Sequence, residues 1–264
     1  MPSFRKSSNQ AAYVVRQQLA IGRARHSAKD DGKIHSVGTA RNYQQALKGV
    51  ADWLQYSKSG SLKDITLEQA MEYLEMRACA VRQSTLDLDR QALQSHLGEA
   101  IPRIKSEIET HRGSRLYTSE QLEMIRSSQT PRNALTTELA ERCGIRAHEA
   151  LTIRRIAEQP PSTHREWRPE ILAVATHTVI GKGGLCRPIV CPADLASRLE
   201  VCRHSTSRTV TDRGVRYQNM YNIGGGNAWS KSFSEASKRA LGYSLGAHSC
   251  RHVYVQTTLK ELSA

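Results

Sequence analysis

The sequence predicts a mainly α protein in two domains, with a small β-sheet in the second. Three observations carry this. The first third is a run of amphipathic helical stretches joined by short polar segments. Residues Arg112, Gly113, Ser114 and Arg115 are linker-like. Beyond them two β-rich runs flank a Gly-Lys-Gly-Gly turn among further helices.

In order, "NQAAYVVRQQLAIGRAR" places Ala12, Val15, Leu19 and Ala20 at helical spacing. "TARNYQQALKGVADWLQYSK" repeats this with Tyr43, Leu47, Val50 and Leu54, and Thr39 is placed to cap it. "DITLEQAMEYLEMRACA" and "RQSTLDLDRQALQSHLGEA" are the third and fourth helices. The boundary falls near residue 113, giving domains 1–112 and 113–264. In the second, Thr118 with Gln121 makes a capping box. "NALTTELAERCG" is a helix ending at Gly144, a residue suited to a left-handed cap. "IRAHEALTIRRI" reads as the start of another helix. Pro160 and Pro161 break it into a loop. "ILAVATHTVIGKGGLCRPIVCP" reads as a hairpin and "ADLASRLEVCR" as a helix. "VRYQNMYNIGGGNAWS" reads as a loop. Two last helices cover 230–244 and 249–264.

Composition narrows the function classes. The chain carries 38 Lys plus Arg against 25 Asp plus Glu, a net charge of +13, and 27 of the cations are Arg. Arg grips phosphate oxygens through a planar fork of donors, so an Arg-rich chain fits a nucleic-acid partner. No apolar run approaches a membrane span, and the N-terminus is polar and charged. The six cysteines, Cys79, Cys143, Cys186, Cys191, Cys202 and Cys250, form no Cys-x-x-Cys pair and read as free thiols of a cytoplasmic protein. No phosphate-binding Gly-x-x-x-x-Gly-Lys-Ser/Thr loop and no carboxylate cluster for a metal is evident, so no cofactor is expected.

Three short stretches could carry chemistry. In "CGIRAHEAL", Arg146 follows a helix terminator, with Glu149 placed to orient it. In "VIGKGGLCRPI", Lys182 sits in a turn between glycines. In "HSCRH", His248 and Arg251 share one helical face. Each alone reads as an ordinary surface feature. Together, and in this order, they resemble the tyrosine recombinase (phage integrase) family. That family carries an Arg in a Gly-hydrophobic-Arg-x-x-Glu setting, a hairpin Lys, and a His-x-x-Arg pair. The matching residues are Gly144 to Glu149, the Val179–Gly184 hairpin with Arg187 and Pro188 behind it, and His248, Arg251 and His252. The resemblance spans residues 118–264, and more loosely the helical part before them.

The resemblance implies a helical core-binding (SAM-like) DNA-binding domain over 1–112. It implies an α+β catalytic domain over 113–264 that lacks its C-terminal end. It implies DNA integration and recombination, as in mobile genetic elements, on double-stranded DNA, by a homo-oligomer assembled on DNA in the full-length protein, without a membrane. The chemistry explains the residue types. A phosphodiester attacked by a hydroxyl gains negative charge on its equatorial oxygens, and fixed cations stabilise that state above the ground state. Arg146 and Arg251 are the expected clamp. His248 would hold an oxygen or assist proton transfer, and Lys182 would protonate the leaving 5′-oxygen. Arg41, Lys48, Arg82, Arg90 and Arg187 are candidate DNA contacts.

The nucleophile departs from the family pattern. The family places its tyrosine on a later helix, and only 13 residues follow Arg251. Tyr254, one turn after Arg251, reads as a packing residue. The expectation is therefore an integrase whose tyrosine lies beyond this chain. The alternatives are a truncated, inactive DNA-binding remnant and a plain helical DNA-binding or regulatory protein.

Overall fold

The computed structural model describes residues 4–21, 31–109 and 116–263. The chain divides into two compact units, 1–112 and 113–264.

Among the described residues the first unit holds four helices: α1 (Ser7–Gln17), α2 (Val37–Tyr56), α3 (Leu67–Ala78) and α4 (Gln83–Leu97). Leu47, Val50, Leu54, Leu74, Leu86 and Leu93 fill its core, each with almost no exposed surface. The cap of α2 is Ser36, not Thr39: the Ser36 side chain accepts the Thr39 N–H, and Thr39 lies inside the helix. Thr66 and Gln69 form a capping box on α3. The segment after α4 is tied back by the Arg90 Nη1 bond to the Ile101 carbonyl (2.9 Å) and the Gln83 Nε2 bond to that of Ile104 (3.0 Å). Of the first predicted helix, residues 22–25 lie outside the described residues.

The second unit holds α5 (Ser119–Ser127), α6 (Pro131–Cys143), β1 (Arg154–Arg155), α7 (Pro169–Val174), β2 (His177–Ile180), β3 (Cys186–Ile189), α8 (Ala193–Val201), β4 (Arg203–Asp212), β5 (Val215–Tyr221), α9 (Gly226–Leu241) and α10 (Ser249–Ser263). Strands β1, β2 and β3 form one antiparallel sheet in that order, and β4 with β5 a separate ribbon. Leu122, Ile125, Leu139, Trp229 and Phe233 centre its core. The Thr118–Gln121 capping box is present on α5.

Three local expectations are corrected. Residues 145–156 are not a helix: a short 3-10 turn at Glu149–Leu151 leads into β1. Thr152 and Ile153, both β-branched, break the helical course, and Arg154–Arg155 pair with β2 instead. The apolar run Ile171–Val174 is helical, because Pro169 presets its first turn; a short apolar run alone does not separate strand from helix. Residues 215–221 are a strand paired with β4 rather than a loop. The alternation in β5, Val215, Tyr217 and Tyr221, is broken by Asn219, and β4 is mostly hydroxyl and Arg side chains, so the hydrophobic period is weak.

Among the described residues no helix is long and apolar enough to cross a membrane. All six cysteines are free thiols.

Candidate active site

The site is assembled around Gly144. Helix α6 ends there in the left-handed region (φ 61°), which glycine adopts without a Cβ penalty. A β-carbon at this position would also run into the ring of Tyr254 on α10. The Gly144 carbonyl is left for side chains: Arg187 Nη2 donates to it at 3.1 Å, and Arg251 Nη1 donates to it as well. One backbone oxygen thus gathers an arginine from β3 and one from α10.

Glu149, with 0% of its side chain exposed, is the second point of convergence. Its Oε1 accepts from Arg146 Nη1 at 2.6 Å. Its Oε2 accepts from the Arg146 backbone N–H at 2.9 Å and from Arg187 Nη2 at 2.7 Å. Burial alone raises a carboxyl pKa, but the Arg187 and Arg146 bonds outweigh it and hold Glu149 below its ordinary value. Glu149 is therefore a fixed anion that orients two guanidinium groups.

Arg251 feels the same cluster. Burial, then the nearby charges of Arg146 and Arg187, lower its pKa, with Glu149 opposing. A guanidinium starts so far above neutrality that it stays charged at neutral pH. Three guanidinium groups face one carboxylate, so the cluster carries a net positive charge. The neighbouring His148 is pushed down chiefly by burial, with Glu149 opposing.

The hairpin reaches the cluster at its base. Gly181 packs so closely that a β-carbon there would sit 3.1 Å from Glu149 Oε1 and 3.9 Å from Arg146 Nη1. Lys182 follows at once, opening the short 3-10 turn Lys182–Gly184. His248 lies just before α10, exposed, its carbonyl accepting the Arg251 N–H at 3.1 Å. Its ring meets that of His252 edge-on at 5.0 Å.

The structure thus joins Arg146, Glu149 and Arg251 with the hairpin base next to Lys182. It adds Arg187, read from the sequence as a DNA contact. That side chain is 20% exposed and its Nη2 turns inward, to Glu149 and Gly144. This role was not visible in the sequence, because only the β2–β3 register brings residue 187 opposite Val179. Arg90 is likewise turned inward, holding the Ile101 carbonyl. Lys48 pairs with Asp52 at 2.6 Å on the surface of α2. Arg41 and Arg82 are exposed.

No protein-family model matches the chain, and no curated protein matches it. Solved structures do. The chain is similar to the XerH site-specific recombinase bound to a palindromic difH substrate in a post-cleavage complex, with a TM-score of 0.57 and 13% identity. It is equally similar to XerH bound to difH substrate in a pre-cleavage complex, with a TM-score of 0.57 and 14% identity. Both likenesses cover 100% of this chain and 88% of that chain. These likenesses run over the full length of the chain and give it the tyrosine recombinase fold.

Proposed function

We propose that this chain belongs to a DNA strand-transferring enzyme of the tyrosine recombinase class. The observation that carries the reading is the convergence of Arg146, Arg187 and Arg251 on one buried carboxylate and one peptide oxygen. Such a cluster is net cationic, fixed before substrate arrives, and lined with donors suited to phosphate oxygens. The likeness to recombinases solved on their DNA substrates supports the same reading.

In this mechanism a tyrosine oxygen attacks the phosphorus and the bond to the 5′-oxygen breaks, leaving a 3′-phosphotyrosyl bond. Arg146 and Arg251 neutralise the charge gained by the equatorial oxygens. His248 holds one of those oxygens, and Lys182 gives its proton to the leaving 5′-oxygen. Glu149 and Arg187 are positioning residues: they fix Arg146 and the shared carbonyl. Rejoining is the reverse attack by a 5′-hydroxyl. The partner is double-stranded DNA, on which copies of the protein assemble. The helical unit contributes further DNA contacts, with Arg41 and Arg82 the exposed candidates.

No attacking tyrosine is assigned among the residues of the cluster: the Tyr254 ring packs against Gly144 and is read as a packing residue. That placement also motivates the rival reading, a DNA-binding chain without chemistry. A pool of nicked duplexes of randomised sequence, which trap any covalent intermediate, tests the assignment. The chain should bind the pool with steep salt dependence and form no adduct. An adduct abolished by Tyr254→Phe would make Tyr254 the nucleophile. Affinity that does not change with salt would remove the DNA reading.

A further inference from the structure

The β4–β5 ribbon, residues 203–221, takes no part in the site described above. It holds four arginines, Arg203, Arg208, Arg213 and Arg216, against one acid, Asp212. Only Arg203 is ion-paired, to Glu158 at 2.5 Å; Arg208, Arg213 and Arg216 are exposed, with no carboxylate partner among the described residues.

The two faces of the ribbon differ. Partners across an antiparallel pair share a face. Val210 with Tyr217 and Asp212 with Val215 make a half-buried face. Thr209 with Gln218 and Thr211 with Arg216 make the other, and all four of these residues are exposed. These four residues offer hydroxyl, amide and guanidinium groups; the one apolar residue of β5 on this side, Met220, lies toward the root and packs against the core. Within this face Gln218 Nε2 donates to Thr209 Oγ1 at 3.1 Å.

The ribbon is anchored at both ends. At the root, Tyr221 is buried and its hydroxyl donates to Glu200 at 2.8 Å. At the tip, Asp212 Oδ1 accepts the Asn227 N–H at 2.9 Å, and Arg213 Nη2 donates to Asn227 Oδ1 at 2.7 Å. The neighbouring Gly226 N–H in turn donates to the Ala147 carbonyl at 2.7 Å, between Arg146 and Glu149. The tip is therefore fastened to the segment that carries the phosphate cluster.

A solvated two-stranded ribbon has the width that the major groove of duplex DNA admits. An exposed polar face flanked by unpaired cations fits no apolar partner, and its charge complements a polyanion. We propose that the β4–β5 ribbon is a second DNA-reading element, its Thr209–Thr211–Arg216–Gln218 face lying in the major groove beside the phosphate cluster. Arg216 on that face and Arg208 on the opposite one then reach the phosphate walls of the groove. The proposal rests on the reading of duplex DNA as partner.

The test measures binding of the whole chain to labelled duplex DNA across a salt series, with guanine N7 methylation protection as a groove-specific readout. These side chains are exposed, so thermal melts of each variant should match the wild type. Arg208→Ala/Arg216→Ala should bind ~10-fold or more weakly, with the salt slope shallower by about two units, one for each phosphate no longer neutralised. Thr209→Ala/Gln218→Ala should keep the slope and lose N7 protection. If the double arginine variant binds as the wild type does, with the same slope, the ribbon proposal falls and the DNA reading stands. If the wild type shows no salt-dependent binding, both fall. If the variant loses self-association by light scattering while its DNA affinity is intact, the ribbon is a protein interface and the proposal is overturned.

Discussion

Asp89 in the first unit and Glu149 in the second are both buried carboxylates, 3% and 0% exposed, yet they ionise in opposite senses. Asp89 has one ion-pair partner, Arg77 Nε at 3.1 Å, and burial wins: its pKa is raised. Glu149 is equally desolvated, but two guanidinium groups and a backbone N–H donate to it, and its pKa is lowered. The difference lies in the number of donors, not in depth. A carboxylate given one partner is a tolerated buried group. One given three becomes a fixed charge around which cations are ordered, and that is the arrangement a phosphate site requires.

The largest expected effect breaks this comparison directly. Glu149→Gln should destabilise the second unit by about 2 kcal/mol, since it leaves the largely buried Arg187 against a neutral group, the part-exposed Arg146 adding less. Asp89→Asn, removing a carboxylate already biased toward neutrality, should stay within about 1 kcal/mol. Urea unfolding of each variant reads both; equal losses would erase the distinction.

Next comes the scaffold under the cluster. Gly144→Ala combines a left-handed backbone with a clash against Tyr254, and should cost about 2 kcal/mol. Adding Tyr254→Ala should relieve the clash but not the backbone strain, so Gly144→Ala should cost less in a Tyr254→Ala background. A full cost retained there would mean that Tyr254 does not pack on Gly144.

The pH dependence sharpens the contrast. Glu149 is held below its ordinary 4.5, so the stability it adds is complete above that value and is lost as pH falls through its folded value. Asp89 is held above its ordinary 3.8, so its charged form is penalised in the fold and acidification relieves the penalty. Below pH 4.5 the gap between wild type and Glu149→Gln should therefore close. Asp89→Asn relative to wild type should move the other way. His148, held below 6.5, adds a loss that grows as pH falls under that value, and His148→Asn should flatten the stability profile between about pH 7 and 5. Parallel profiles for all the variants would contradict these assignments. The smallest effect belongs to the solvated faces: Lys48→Ala, which breaks an exposed pair with Asp52, should change stability by less than about 0.5 kcal/mol.

Much of this organisation is legible in the residues themselves. Gly144 after an amphipathic run marks the end of α6, and the Thr118–Gln121 box marks the start of α5, because caps are local chemistry. The Arg146–Glu149 link is also local, three residues long. The role of Arg187 is not, since it depends on β2 and β3 pairing in one register, which no spacing in the sequence declares. The ribbon escaped for a different reason. Its apolar face, Val210, Val215, Tyr217 and Tyr221, is interrupted by Asp212 and Asn219, and its turn carries Arg213 at φ 50°, where Asn or Asp would have signalled a hairpin. The inward turn of Arg90 depends on where the chain runs after α4, again a tertiary matter.

The central claim is that the arginine cluster around Gly144 and Glu149 activates a phosphodiester whatever oxygen attacks it. The most direct measurement replaces tyrosine with a small nucleophile. End-labelled nicked duplexes of randomised sequence are incubated with the chain and hydroperoxide anion, and strand breaks are counted against protein-free DNA. The account predicts breaks above background with the wild-type chain, reduced ~100-fold by Arg146→Ala and by Arg251→Ala alike. Breaks no more frequent than in protein-free DNA, or undiminished in both arginine variants, would contradict it.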